Sequence, residues 1–250
     1  MGFNAAPLPS LSLHGKAKLH LHDFPPQAGL WVVQAAAMGW PHAANFAVHD
    51  THIEVDIGGN PWYPTGEDAV NARRLMLHIL RCLLSHGFQL YCASVIDNHP
   101  GAHDVLYFEP CTPCLHAAMV AVSINQHDLL RLVDAPPNLV ALVTTVVTHT
   151  YTGGAVRVSE YAPGCWQFKL DGSPWGEYTS GLFSSKAPPA ARSPAGQLVL
   201  ATLFAQLRLS GFRLCASLTQ SYSVDGRNVK DSWYFAHTPQ GGSLRAGTMQ

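Results

Sequence analysis

Apolar and polar positions alternate at the start of the chain, at Leu11-Ser12-Leu13, and again far downstream at Val122-Ser123-Ile124. Period-two alternation of this kind predicts a half-buried strand. Each run leads to a Pro-Pro pair, and after it an apolar stretch of helical length, 27–40 and 138–149. Proline is tolerated there because the first turn of a helix leaves its N–H groups unpaired anyway. Two short extended runs follow in each case: 45–49 with 52–57, and 155–161 with 165–170. Each pair predicts a hairpin ending at a Gly-x-Pro-Trp turn.

A second helix is predicted after each turn. In the first half Asn71, Arg74, His78, Arg81 and Ser85 step by three and four, with Leu75, Ile79, Cys82 and Leu83 on the opposite face. Thr65–Asp68 offers its N-terminal cap, and Ser193-Pro194 offers that of its counterpart. Gly87 and Gly211 suit the left-handed residue that closes a last helical turn. The counterpart is poorer in charge and is expected to be the more buried of the two. Two strands end each half, with turns expected at His99-Pro100-Gly101 and at Asp225-Gly226.

The two halves match in detail. "LHLHDFPP" (19–26) matches "LRLVDAPP" (130–137), "GGNPW" (58–62) matches "DGSPW" (171–175), and "HDVLYF" (103–108) matches "KDSWYF" (230–235). "GFQLYCAS" (87–94) matches "GFRLCAS" (211–217) with one gap. Blocks recurring in one order mean a tandem duplication. The fold class is therefore α+β: two copies of a ferredoxin-like βαββαβ(β) unit, with antiparallel sheets and helices on one face. The expected boundaries are 10–110 for the first repeat, 111–120 for a linker, 121–237 for the second repeat and 238–250 for a flexible tail. Trp62 and Trp175 are expected to plug the space between sheet and following helix, their turns opened by glycine and closed to pairing by proline. Asp23 and Asp134, before each Pro-Pro pair, are expected to cap the helix that follows. Asp104 and Asp231 occupy matching strand starts and are expected to bind backbone amides.

Composition narrows the function. Charged residues make up 12% of 250, about half the usual share, and the net charge is −1. Such a chain lacks the basic field that draws in nucleic acid or an anionic membrane. So little charge fits a surface partly covered by a partner or a second copy. The N-terminus lacks the charged and apolar regions of a secretory leader, and the six cysteines read as reduced thiols in the cytoplasm.

Candidate chemistry is sparse. There is no nucleophile elbow, P-loop, dinucleotide glycine pattern or H-E-x-x-H. Cys111 and Cys114 form a C-x-x-C that suits a redox pair or, with His116, half of a zinc site. The plainer reading is a solvent-exposed pair in the linker. Cys92 and Cys215 read as small core residues. Histidine is enriched in the first half: His20 and His22 alternate, and His49, Asp50, His52, Glu54 and Asp56 follow. His49, His52 and Glu54 are the metal candidates, with zinc the ion they would suit, and no resident cofactor is expected. The plainer reading is the outward polar face of a half-exposed sheet. The loop 176–194 is longer than its twin, and Tyr178, Leu182 and Phe183 would give it grip on a partner. The function expected is a non-catalytic interaction or assembly module with pseudo-two-fold symmetry, binding a protein partner or itself. The rival is an enzyme or a small-molecule- or metal-binding protein with its site in the cleft between the repeats.

Overall fold

The computed structural model describes residues 6–96, 103–172, 174–175, 194–220 and 231–237. The first unit runs β1 (Ser10–His14), β2 (Lys18–His22), α1 (Ala28–Gly39), β3 (Asn45–Val48), β4 (Ile53–Asp56), α2 (Asp68–Ser85), β5 (Phe88–Ser94), β6 (Val105–Pro110). The second repeats it: β7 (Ala118–Asn125), β8 (Leu129–Val133), α3 (Pro137–Thr150), β9 (Val156–Ala162), β10 (Cys165–Leu170), α4 (Pro194–Leu209), β11 (Phe212–Leu218), β12 (Ser232–His237).

The first sheet has the order β3-β4-β2-β1-β6-β5 and the second β9-β10-β8-β7-β12-β11. The two orders are the same, position for position, and every pairing is antiparallel. The tandem α+β duplication therefore stands. Each unit holds one strand more than the sequence pattern separated: β2 and β8 lie between the opening strand and the Pro-Pro pair. With them the unit is three consecutive hairpins joined by two helices. A ferredoxin-like split βαβ sets two strands parallel; here no strand has a parallel neighbour.

Smaller features recur too. Asp23 (φ 59°) and Asp134 (φ 55°) are left-handed, a conformation that aspartate tolerates better than most residues. Neither caps a helix: the N-caps of α1 and α3 are Gln27 and Pro136, without side-chain bonds. α2 likewise begins after Glu67 with no side-chain cap. Trp40 Nε1 donates to Gly58 O at 3.0 Å, and the Tyr151 hydroxyl donates to Asp171 O, the matching carbonyl. Both β5 and β11 carry a register shift, between Leu90 and Cys92 and between Leu214 and Ala216. Tyr91 thus corresponds to Cys215 and no gap is needed. Gly87 and Gly211 close α2 and α4 with φ of 88° and 84°. Trp62 is buried in the core, Trp175 packs partly buried against the other core, and both indole N–H groups are buried without a partner.

The units are stacked. One face of the second sheet (Val120, Val122, Leu130, Leu132, Phe168, Phe235) packs on α3 and α4. Its other face (Met119, Ala121, Val133, Cys165, Tyr234, Ala236) joins α2 in a core shared between the units. α2 buries ten of its 18 residues, caught between two sheets. The layer order is first sheet, α1 and α2, second sheet, α3 and α4. Here α2 meets a sheet face, and the matching edge strands β5 and β11 also touch directly.

Polar groups pin this interface. Arg73, 1% exposed, lies 3.6 Å from Asp231 Oδ2 and donates to Ser232 Oγ at 3.2 Å and Ala69 O at 2.9 Å. Arg74 pairs with Asp134 at 2.9 Å. Asp104 accepts the Thr219 N–H at 2.6 Å and Asp231 accepts that of Gln220 at 3.0 Å, so both aspartates bind amides as their positions suggested. Among the described residues no helix is long and apolar enough to cross a membrane.

Candidate functional site

The outer face of the first sheet is the one large sheet surface left open among the described residues. Its chemistry follows from strand pairing. β2 alternates leucine and histidine, so Leu19 and Leu21 enter the core while His20 and His22 stand on the other side. β4 does the same with Ile53 and Val55 inside and Glu54 and Asp56 outside. The register sets His20 opposite Glu54. His52, two residues before Glu54, projects from the same side, and His14 reaches it from β1.

The result is a row of imidazoles. His14 stacks on His20 with centroids 3.9 Å apart, His20 lies 4.4 Å from His52, and His52 lies 4.8 Å from His49. His22 flanks the row, 5.5 Å from His52. His20 Nε2 and Glu54 Oε2 are 3.2 Å apart, while Lys18 Nζ holds Glu54 Oε1 at 2.7 Å. His22 Nδ1 donates to Thr51 O at 3.2 Å, and His52 Nδ1 meets Thr51 Oγ1 at 3.1 Å. One ligand atom each from His20, His52 and Glu54 falls within 4.8 Å of the others.

Burial and neighbouring charges shift three groups on this face. Partial burial, then the crowding of His20, His22, His103 and His52, lowers the His14 pKa below its usual value. Desolvation followed by His20, His49 and His22 lowers that of His52. The Lys18 ammonium, bonded to Glu54, holds that carboxyl below the ordinary carboxylate range.

The sequence candidates divide. His52 and Glu54 are joined by His20, which the sequence showed only as part of an alternating pair. His49 stacks on His52 but lies outside the triad, and Asp56 accepts the Gly58 N–H at 2.9 Å. Cys111 and Cys114 are half-buried free thiols in the linker, where Cys114 N–H bonds Leu84 O at 3.1 Å at the end of α2. Burial, then Cys114 and Glu109, pushes the Cys111 thiol up, against the thiolate that redox exchange needs. His116 is exposed and the three form no ligating group. Cys92 is exposed, not a core residue, while its counterpart Ala216 is buried in the core shared between the units; Cys215 donates to Tyr234 O at 3.1 Å. Tyr178, Leu182 and Phe183 lie outside the described residues, as do the turns at 99–101 and 225–226 and the tail. α2 lies between the units, where a small, mostly apolar cavity lined by Leu80, Leu84, Phe88, Leu90, Met119 and Cys215 remains, and the histidine row lies on the far side of the first sheet from it.

The second unit is an internal comparison. Arg131 stands where His20 does, Gln167 where Glu54 does and Cys165 where His52 does. Arg131 Nε donates to Gln167 Oε1 at 3.0 Å, so the cross-strand bond persists with different chemistry. There the face is buried against α2, and Arg131 stacks over Tyr161, 3.8 Å from its ring centre.

The model of one domain family matches the chain twice, over residues 7–109 and 118–236, and the match brings no activity with it. No curated protein and no solved structure matches. Two matches spanning most of the chain, each coinciding with one three-hairpin unit, make this protein a member of that domain family with two copies in tandem.

Proposed function

We propose that the protein is a non-catalytic assembly module that pairs with a second copy of itself through the outer face of α4. One observation carries this reading. α4 is apolar on two sides and covered on one. Gly196, Val199, Leu203 and Leu207 form its buried stripe. Leu198, Ala201, Ala205 and Leu209 repeat that spacing on the opposite side and are exposed, Leu198 by 52% and Leu209 by 79%. Arg208 is the helix's one charged residue. A helix with two apolar stripes calls for cover on both. The more charged α2 is the buried one, the reverse of what charge alone suggests, because its arginines are used as inter-unit pins.

The occupant is a second copy, with α4 against α4. Closed two-fold pairing is the commonest solution for soluble proteins. A helix with a single charge meets itself with little repulsion. Such pairing would cover the last bare helix layer and leave the histidine face outside. Six free thiols fit a reducing cytoplasm, where we place the protein.

Size exclusion with light scattering tests this. The chain of 27.0 kDa should run at twice that mass, and Leu198→Glu with Ala205→Glu should return it to monomer without loss of helix. A wild-type monomer up to roughly 100 μM would overturn the proposal, since interfaces of ordinary size bind more tightly than that.

A further inference from the structure

The geometry points to a binding site for one divalent transition-metal ion, of the zinc(II) class, formed by His20, His52 and Glu54 on the open face of the first sheet. Three donors converge from two adjacent strands: His20 from β2, Glu54 opposite it on β4, and His52 two residues earlier on the same side. Bonds of 2.0–2.1 Å in a tetrahedron place donor atoms about 3.3 Å apart. His20 Nε2 and Glu54 Oε2 already stand at 3.2 Å, and the third donor lies within 4.8 Å of both. Half-buried side chains close that difference by rotation, so the backbone does not have to move.

The surroundings support the ligands. Lys18 occupies Glu54 Oε1 and leaves Oε2 for the ion. Thr51 orients His52 through its hydroxyl and His22 through its carbonyl. Partners of this sort fix tautomer and ring angle in metal sites. His14 and His49 stack on the two ligand imidazoles from either end. Two imidazoles and a carboxylate suit zinc or its neighbours over magnesium or calcium, which prefer all-oxygen shells. The open side leaves a fourth position for water or for a side chain of another molecule.

The second unit sharpens the argument. On the same strand positions it carries Arg131, Cys165 and Gln167, of which Arg131 and Cys165 are buried and Gln167 half-buried. One fold thus supplies the same three positions twice. Donors of metal-ligand type occupy them on the copy whose face is open.

Titration calorimetry on the untagged, chelator-stripped full chain tests this with zinc chloride, and in parallel with magnesium chloride. The expected result is one zinc per chain and no magnesium heat. His52→Ala and Glu54→Gln should each weaken zinc at least tenfold while keeping the wild-type circular dichroism. Cys111→Ser with Cys114→Ser, and separately His116→Ala, should leave affinity and stoichiometry unchanged. No stoichiometric zinc heat, or wild-type affinity in both His52→Ala and Glu54→Gln, would overturn the site. So would loss of binding in the cysteine pair, which would move it to the linker.

Discussion

Replacing Arg73 with methionine removes the cation at the centre of the stack and keeps most of its volume. Asp231, 6% exposed, would then hold a carboxylate in the shared core without its ion-pair partner. Breaking one side of a buried pair costs about 3–5 kcal/mol, because the remaining charge is uncompensated. Asp231 would still accept the Gln220 N–H and the Ser232 hydroxyl, which puts the expected loss near the lower end, about 3 kcal/mol. At roughly 2–4 °C per kcal/mol for a chain of this size, the Arg73→Met midpoint should fall by about 6–12 °C. Urea unfolding followed by circular dichroism gives the free energy directly. Asp231→Asn added to Arg73→Met should recover about half of the loss, since the carboxylate left unpaired by the first change is then neutral. A single-variant loss under about 1 kcal/mol, or additive losses in the double variant, would refute the idea that this pair pins the units together.

Two further outcomes are expected. A Cβ at Gly196 would stand 2.5 Å from the Pro174 carbonyl oxygen, a backbone atom that cannot swing aside, so Gly196→Ala should destabilise by about 1–3 kcal/mol in thermal melts although alanine favours helix. Cys165 is fully buried and its thiol is pushed up to about 11 by that burial, so at pH 8 it should resist a thiol reagent while exposed Cys92 reacts. Mass-mapped modification checks this, and fast labelling of Cys165 in the native state would contradict the placement of the second sheet.

The duplication was legible because block order survives divergence: Gly-x-Pro-Trp, Asp-x-Pro-Pro and the closing glycines each mark a bend that only certain residues can make. The bends themselves were less legible. Asp23 and Asp134 look like helix caps in sequence, but their role is a left-handed backbone, a property of φ that composition does not print. β2 went unseen beside its neighbour, and β8 more so, because "LLRLV" is buried throughout and lacks the alternation of a half-exposed strand. Layer order was beyond reach. It depends on contacts such as Arg73 with Asp231, far apart in sequence, and Arg74, read as part of a polar stripe, reaches Asp134 in the second unit. The metal triad was half legible for the same reason: His52 and Glu54 are neighbours in the chain, whereas His20 joins them only through strand register.

Stacking rather than facing makes the two copies unequal heirs of their ancestor. The second sheet has both sides committed, so its residues answer to the helix pressed against them. The first sheet has one side unspoken for, where substitutions meet only water and whatever arrives from it. Novelty in this lineage should therefore accumulate on the first copy's outer strands. A fragment holding only the second copy would bare an oily sheet to solvent, and one holding only the first would bare the side of α2 that this sheet covers.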